Sequence, residues 1–228
     1  MNPDDIERVE IGLGGRQGTG KWTPSIGDET LALMDSLSLS VASAKESRDR
    51  ILGEAGRILA RCVPPSQALG ADIGLVIGYV QSGKTMSFTT VAALAADNAY
   101  QAIIVITGVS VPLLNQSIDR LASDLRLATR RDRKWQHFKN PTRVRDYDNI
   151  YNAFADWDDS DVRREERKTV LITVMKQHVH LDNLIDLLEA LPMAGRPAST
   201  IKSERCSPPM RASRSRRPVD TPESFPSR

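Results

Sequence analysis

The sequence predicts an α/β fold built on a parallel sheet, and three observations support this. Short, continuously apolar runs recur at 71–80 (ADIGLVIGYV), 101–108 (QAIIVITG) and 168–176 (KTVLITVMK). Each is followed by a stretch of helical periodicity: MSFTTVAALAADNAY, VPLLNQSIDRLASDLRLA and HLDNLIDLLEAL. Strands that are apolar on both faces and alternate with helices suit a parallel sheet covered on both sides. With 40% apolar residues but only 5% aromatic, the core must come mainly from Ala, Val, Ile and Leu.

Taken in order, residues 1–27 are rich in Gly, Asp and Pro and read as a flexible leader. Residues 28–66 form a helical segment. ETLALMDSLSLSVASAK and ESRDRILGEAGRILARC space apolar residues three and four apart, and Pro64-Pro65 ends the second helix. The nucleotide-binding lobe is expected over 67–191. In VPLLNQSIDRLASDLRLA the residues Leu113, Leu114, Ile118, Leu121, Leu125 and Leu127 fall on or near one helical face.

Within that lobe, 129–168 reads as a polar interval, basic first and acidic afterwards. Arg130, Arg131, Arg133, Lys134, Lys139, Arg143 and Arg145, with Trp135 and Phe138 among them, could follow a nucleic-acid backbone. A solvated insertion is the preferred reading. DWDDSD lacks the glycine and terminal Glu of an EF-hand and reads as a solvated loop. His178 and His180 have no third ligand at an obvious spacing and are expected at a strand-to-helix turn. After Leu191, residues 192–228 are dense in Pro, Ser and Arg and are expected to be a disordered tail with no strand.

The formal net charge of +2 gives no global argument for nucleic acid. Cys62 and Cys206 form neither a disulfide framework nor a zinc site by spacing. The acidic start MNPDDIERVE is not a secretory signal, and the apolar runs are too short to span a bilayer. A cytoplasmic protein with no membrane partner is expected.

Two stretches look like phosphate loops. GGRQGTGKW (14–22) places Trp22 where a metal-binding hydroxyl belongs, has Pro24 where a helix should start, and follows no apolar strand. It reads as a decoy. GYVQSGKT (78–85) satisfies the whole G-x-x-x-x-G-K-[ST] pattern between an apolar run and a helix.

Such a loop curves its backbone N–H groups around phosphate oxygens, and the next helix adds its positive end. The predicted site is therefore Gly78, Tyr79, Val80, Gln81, Ser82, Gly83, Lys84 and Thr85. Lys84 would reach the β- and γ-phosphates of ATP and Thr85 would face Mg²⁺. Trp22 or Tyr79 could stack on the base.

The stretch GYVQSGKTMSFTTVAALAADNAYQAIIVITGV, followed by LLNQSIDRL, resembles the front of the Z1-domain endonuclease family. That family places a superfamily-two helicase-like, RecA-type ATPase before the Z1 domain. The likeness covers about residues 70–190 and is strongest at the loop. It implies ATP-driven work on nucleic acid, with Gly108, Asn115 and Gln116 in the segment facing the nucleic-acid backbone.

The pattern departs from the family at the acidic element. Hydrolysis requires an apolar strand ending in Asp or Asp-Glu to hold Mg²⁺ and orient water. AIIVITG ends in Gly and TVLITVM runs into Lys176 and Gln177, while the Pro/Ser/Arg tail stands where the acidic strand would follow LLEAL. The second ATPase lobe and the Z1 domain are not found in the sequence either. The expectation is a truncated member that binds ATP with little or no hydrolysis, its residues after Leu191 being either an off-frame reading or the native disordered tail of a short protein. Two alternatives stand beside it. One is a small P-loop NTPase or kinase whose site is completed by Asp97 or Asp182; the other is a non-functional fragment.

Overall fold

The computed structural model describes residues 22–36, 44–67, 70, 73–74, 84–129, 134–192 and 198–202. Among them run helices α1 (Asp28–Ser36), α2 (Ala44–Leu59) and α3 (Lys84–Asp97), then strand β1 (Ala102–Thr107) and helix α4 (Val111–Asp124). Strand β2 (Trp135–Lys139), helix α5 (Arg143–Asp158), strand β3 (Thr169–Met175), helix α6 (His178–Ala190) and strand β4 (Ala198–Lys202) follow. The strands make one four-stranded sheet in the order β2-β3-β1-β4. Every pairing is parallel, with Ile103 level with Leu171 and Ser199, and Phe138 level with Ile172.

Alternation along the strands sends side chains to two layers. Ile103, Val105 and Leu171 face a core made with Leu33 and Met34 of α1, Ala55 and Leu59 of α2, Val91–Ala95 of α3, and Leu121 at the end of α4. Ala102, Ile104, Val170, Ile172 and Val174 face the opposite core, with Ile150 and Phe154 of α5 and Leu184 and Leu187 of α6. The helices α1–α4 thus cover one face and α5–α6 the other. The N-terminal helical segment shares its core with the sheet.

The small residues of α3 explain its close approach. Ala92, Ala93 and Ala95 are fully buried, and Thr90 returns its hydroxyl to the Met86 carbonyl at 2.8 Å. The helix ends where Ala99 turns left-handed at φ 65°, with Tyr100 N–H bonding to the Ala95 carbonyl and Ala99 N–H to that of Ala96. Tyr100 is buried, and its hydroxyl donates to the Val63 carbonyl at 2.6 Å, fastening the end of α2 to the start of β1. Helix α4 carries Pro112 in its first turn, where a missing N–H costs nothing.

Two expectations are corrected. The polar interval 129–168 contains β2 and α5. Phe138 is buried, Trp135 packs into the first core, and Thr142 caps α5 by accepting from Arg145 N–H. The acidic DWDDSD begins inside α5, whose last residue is Asp158. Within 192–228, residues Ala198–Lys202 are not disordered but form β4, paired along the whole length of Ala102–Ile106. Thr200 and Ile201 are β-branched and suit a strand. Among the described residues no helix is long and apolar enough to cross a membrane.

Candidate functional site

In a parallel sheet with crossover helices, ligands bind beyond the carboxyl ends of the strands. Here that edge carries the turns β1–α4, β2–α5 and β3–α6, whose helices all begin there. The α3 helix ends beside the start of β1 and packs along the sheet. Its 14 residues span about 21 Å, which brings its first residue, Lys84, back to the carboxyl edge.

Of the predicted site residues, Lys84 and Thr85 are the first two of α3. Gly78, Tyr79, Val80, Gln81, Ser82 and Gly83 lie outside the described residues, as does most of the decoy GGRQGTGKW. Trp22, its last residue, packs against the first core and donates from Nε1 to the Cys62 carbonyl at 3.2 Å. That indole ties the leader to the segment after α2.

The three turns are tied to one another. At Gly108 a Cβ would stand 2.7 Å from Leu113 Cδ1 and 2.9 Å from its Cβ, so only glycine fits this tight β1–α4 turn. Gln177 Nε2 donates to the Val109 carbonyl at 2.9 Å, and Lys176 N–H reaches the Gly108 carbonyl at 3.3 Å, joining it to the β3–α6 turn. Asn140, left-handed at φ 42°, accepts from Met175 N–H through its side chain. Arg145 donates to the carbonyls of Lys139 and Asn140 at 3.0 Å each while forking onto the Asp146 carboxylate. The sequence-predicted Asn115 accepts from Lys139 Nζ at 2.8 Å, and Gln116 is exposed beside it.

Electrostatically this edge favours anions. Helices α4 and α6 have no acidic residue in their first turns and no side chain capping their first N–H groups. Lys139 adds exposed positive charge, and so does Arg143, whose guanidinium lies 3.7 Å from the exposed Asp186 carboxylate. His178 opens α6, as a strand-to-helix turn requires, and its Nδ1 lies 2.8 Å from Asp182 Oδ2. Among the described residues no group of His, Cys, Asp and Glu could hold a metal ion.

The strand ends also bear on the missing acid. β1 runs out in Thr107-Gly108, β2 in Lys139-Asn140 and β3 in Met175-Lys176. β4 occupies the stretch beyond LLEAL where an acidic strand was sought, and it ends in Lys202. Among the described residues none of these ends carries a carboxylate.

Asp97 is engaged at the amino end of α1. It closes α3 at the end remote from Lys84, and its carboxylate accepts the N–H groups of Gly27, Glu29 and Thr30 at 2.9 Å each. Asp182 is exposed on α6 near the carboxyl edge.

A cleft of about 250 Å³ opens at the amino edge instead, between Trp135, Trp157, Glu29, Lys134 and Arg164. Trp135 Nε1 donates to Glu29 Oε2 across it at 2.6 Å, and Arg167 lies over the Trp157 ring. Sequence reasoning missed this pairing, because Glu29 and Trp135 are 106 residues apart.

Compared with protein-family models, with curated proteins and with solved structures, the chain matches none.

Proposed function

We propose that the chain binds ATP with Mg²⁺ through residues 78–85 and turns it over slowly or not at all. The observation that carries this reading is the motif followed by a helix: GYVQSGKT runs into α3, whose described residues start at Lys84. A helix start there would aim its first N–H groups at a phosphate held by the loop. Lys84 would contact the β- and γ-phosphates.

Magnesium would be held by Thr85 and by the phosphates themselves. It would polarise the γ-phosphate. The described strand ends offer it no carboxylate, which accords with binding that exceeds hydrolysis.

A nucleic-acid strand is the proposed partner, and a cytoplasmic setting goes with it. Support comes from the resemblance to the helicase-like part of the Z1-domain family and from Lys139, Arg143, Asn115 and Gln116 at the carboxyl edge. The test is phosphate release with and without single-stranded DNA, together with DNA binding followed by anisotropy across a salt series. Lys139→Ala with Arg143→Ala should weaken DNA binding and reduce the salt slope by about 2. An unchanged slope would remove nucleic acid from the account. Transfer of phosphate to a small molecule would replace this reading with a kinase.

A further inference from the structure

The cleft at the amino edge, about 250 Å³ in volume, has no part in the proposed nucleotide site. Lys84 lies at the far end of α3 from Asp97, which borders the cleft. Four parts of the chain build it: the start of α1, the end of α3, the approach to β2, and the end of α5 with its loop to β3. Its volume falls below the range of about 300–1,000 Å³ typical of drug-sized ligands, so a matching occupant is small.

Charge is sorted across this cleft. Asp28, Glu29 and Asp97 line the side formed by α1 and α3. Lys134, Arg164 and Arg167 line the side formed by the approach to β2 and the α5–β3 loop. Glu165, the acidic residue on that second side, is exposed and interacts with Arg163. Part of this charge is already engaged. Glu29 accepts from Trp135, Asp97 accepts three backbone N–H groups, and Arg167 donates to the carbonyls of Val162 and Asp159. Asp28, Lys134 and Arg164 form no ion pair among the described residues. The Arg164 guanidinium reaches only the Asp97 carbonyl, at 3.4 Å.

Two indoles border the cleft between these sides. Trp135 Nε1 is spent on Glu29, and Trp157 Nε1 donates to the Lys168 carbonyl at 2.8 Å. What the rings offer a ligand is therefore apolar surface. A simple anion would meet Asp28 and the buried Glu29, and a simple cation would meet Lys134 and Arg164. A small molecule that carries both signs on an apolar body avoids either conflict. We propose that the cleft binds a free α-amino acid with an apolar side chain. Its carboxylate would lie on Lys134 and Arg164, its ammonium toward Asp28 and Glu29, and its side chain against Trp135 and Trp157. Each charged end then gains a charge-assisted contact.

Titration of the full chain, followed by tryptophan fluorescence and by calorimetry, tests this, because two of the three tryptophans border the cleft. The probes are L-leucine and L-phenylalanine. Each is compared with its amide, which lacks the carboxylate, and with the matching carboxylic acid that lacks the amine. The expected result is saturable binding of at least one amino acid, with both of its analogues weaker by at least about tenfold, the loss for one charged contact. Lys134→Gln with Arg164→Gln should weaken that amino acid by a similar factor at an unchanged melting temperature. Arg164 is exposed, so Arg164→Gln alone serves if the paired variant does not fold, and it too should weaken binding. An analogue that binds as tightly as its amino acid would overturn the proposal by showing a site for a simple ion. Binding unchanged in the folded variants, or no saturable signal by either method, would overturn it as well.

Discussion

The carboxylate of Asp97, at the end of α3, holds the amino end of α1 by accepting Thr30 N–H at 2.9 Å, together with the N–H groups of Gly27 and Glu29. A residue remote in sequence thus does the work usually left to a local cap. Asp97→Ala should cost about 1–2 kcal/mol, the range for a lost cap with charged acceptors. Asp97→Asn, which keeps one acceptor oxygen, should cost less. Urea unfolding gives both values, and ATP affinity should be unchanged in either variant because Lys84 lies at the far end of α3. Loss of turnover in Asp97→Asn, with stability intact, would restore a catalytic role.

Ala99 sits left-handed at φ 65° to complete the end of α3. A Cβ in that region costs about 1–2 kcal/mol, offset in part by the greater freedom of an unfolded glycine. Ala99→Gly should therefore stabilise the fold by about 0.5–1 kcal/mol. A lower urea midpoint in this variant would contradict the assigned turn.

Tyr100 fastens two elements through its hydroxyl and the Val63 carbonyl. Tyr100→Phe should cost about 1 kcal/mol, because a partly buried carbonyl loses its donor while the packing volume is retained. A variant as stable as the parent would show that water replaces the hydroxyl.

His137 is half-buried on β2, with Nε2 2.9 Å from Thr173 Oγ1. Burial, and secondly the positive charge of Lys139, hold its pKa below the ordinary imidazole value of 6.5. The folded chain therefore resists protonation that the unfolded chain accepts. The resulting stability is complete above about pH 6.5 and is lost as the pH falls below it, down to the depressed folded value. The loss is at most about 1.4 kcal/mol per pH unit from this group. Urea midpoints between pH 5 and 8 should show this slope in the parent, and His137→Gln should flatten it.

The central layer was legible because its signals are local. AIIVIT and TVLITVM are uninterrupted apolar runs that became β1 and β3, fully paired with each other. β2 was hidden by charge: in WQHFK only Phe138 is buried, and Lys139 is an edge residue drawn toward Asn115. The helix behind it was overlooked in the acidic text, although Ile150, Ala153 and Phe154 stand at helical spacing. β4 is hidden because Ala-Ser-Thr-Ile-Lys carries a single large apolar residue, Ile201, and its strand geometry comes from pairing with β1. The role of Asp97 depends on a contact across 67–70 residues, which no spacing rule reaches.

Calorimetric titration with Mg²⁺-ATP, on the parent and on Lys84→Ala, tests the central claim most directly. The account predicts saturable one-to-one binding by the parent, weakened at least about tenfold, or about 1.4 kcal/mol, in Lys84→Ala at unchanged stability. Equal affinity in the two proteins, or no binding by a folded parent, would contradict it.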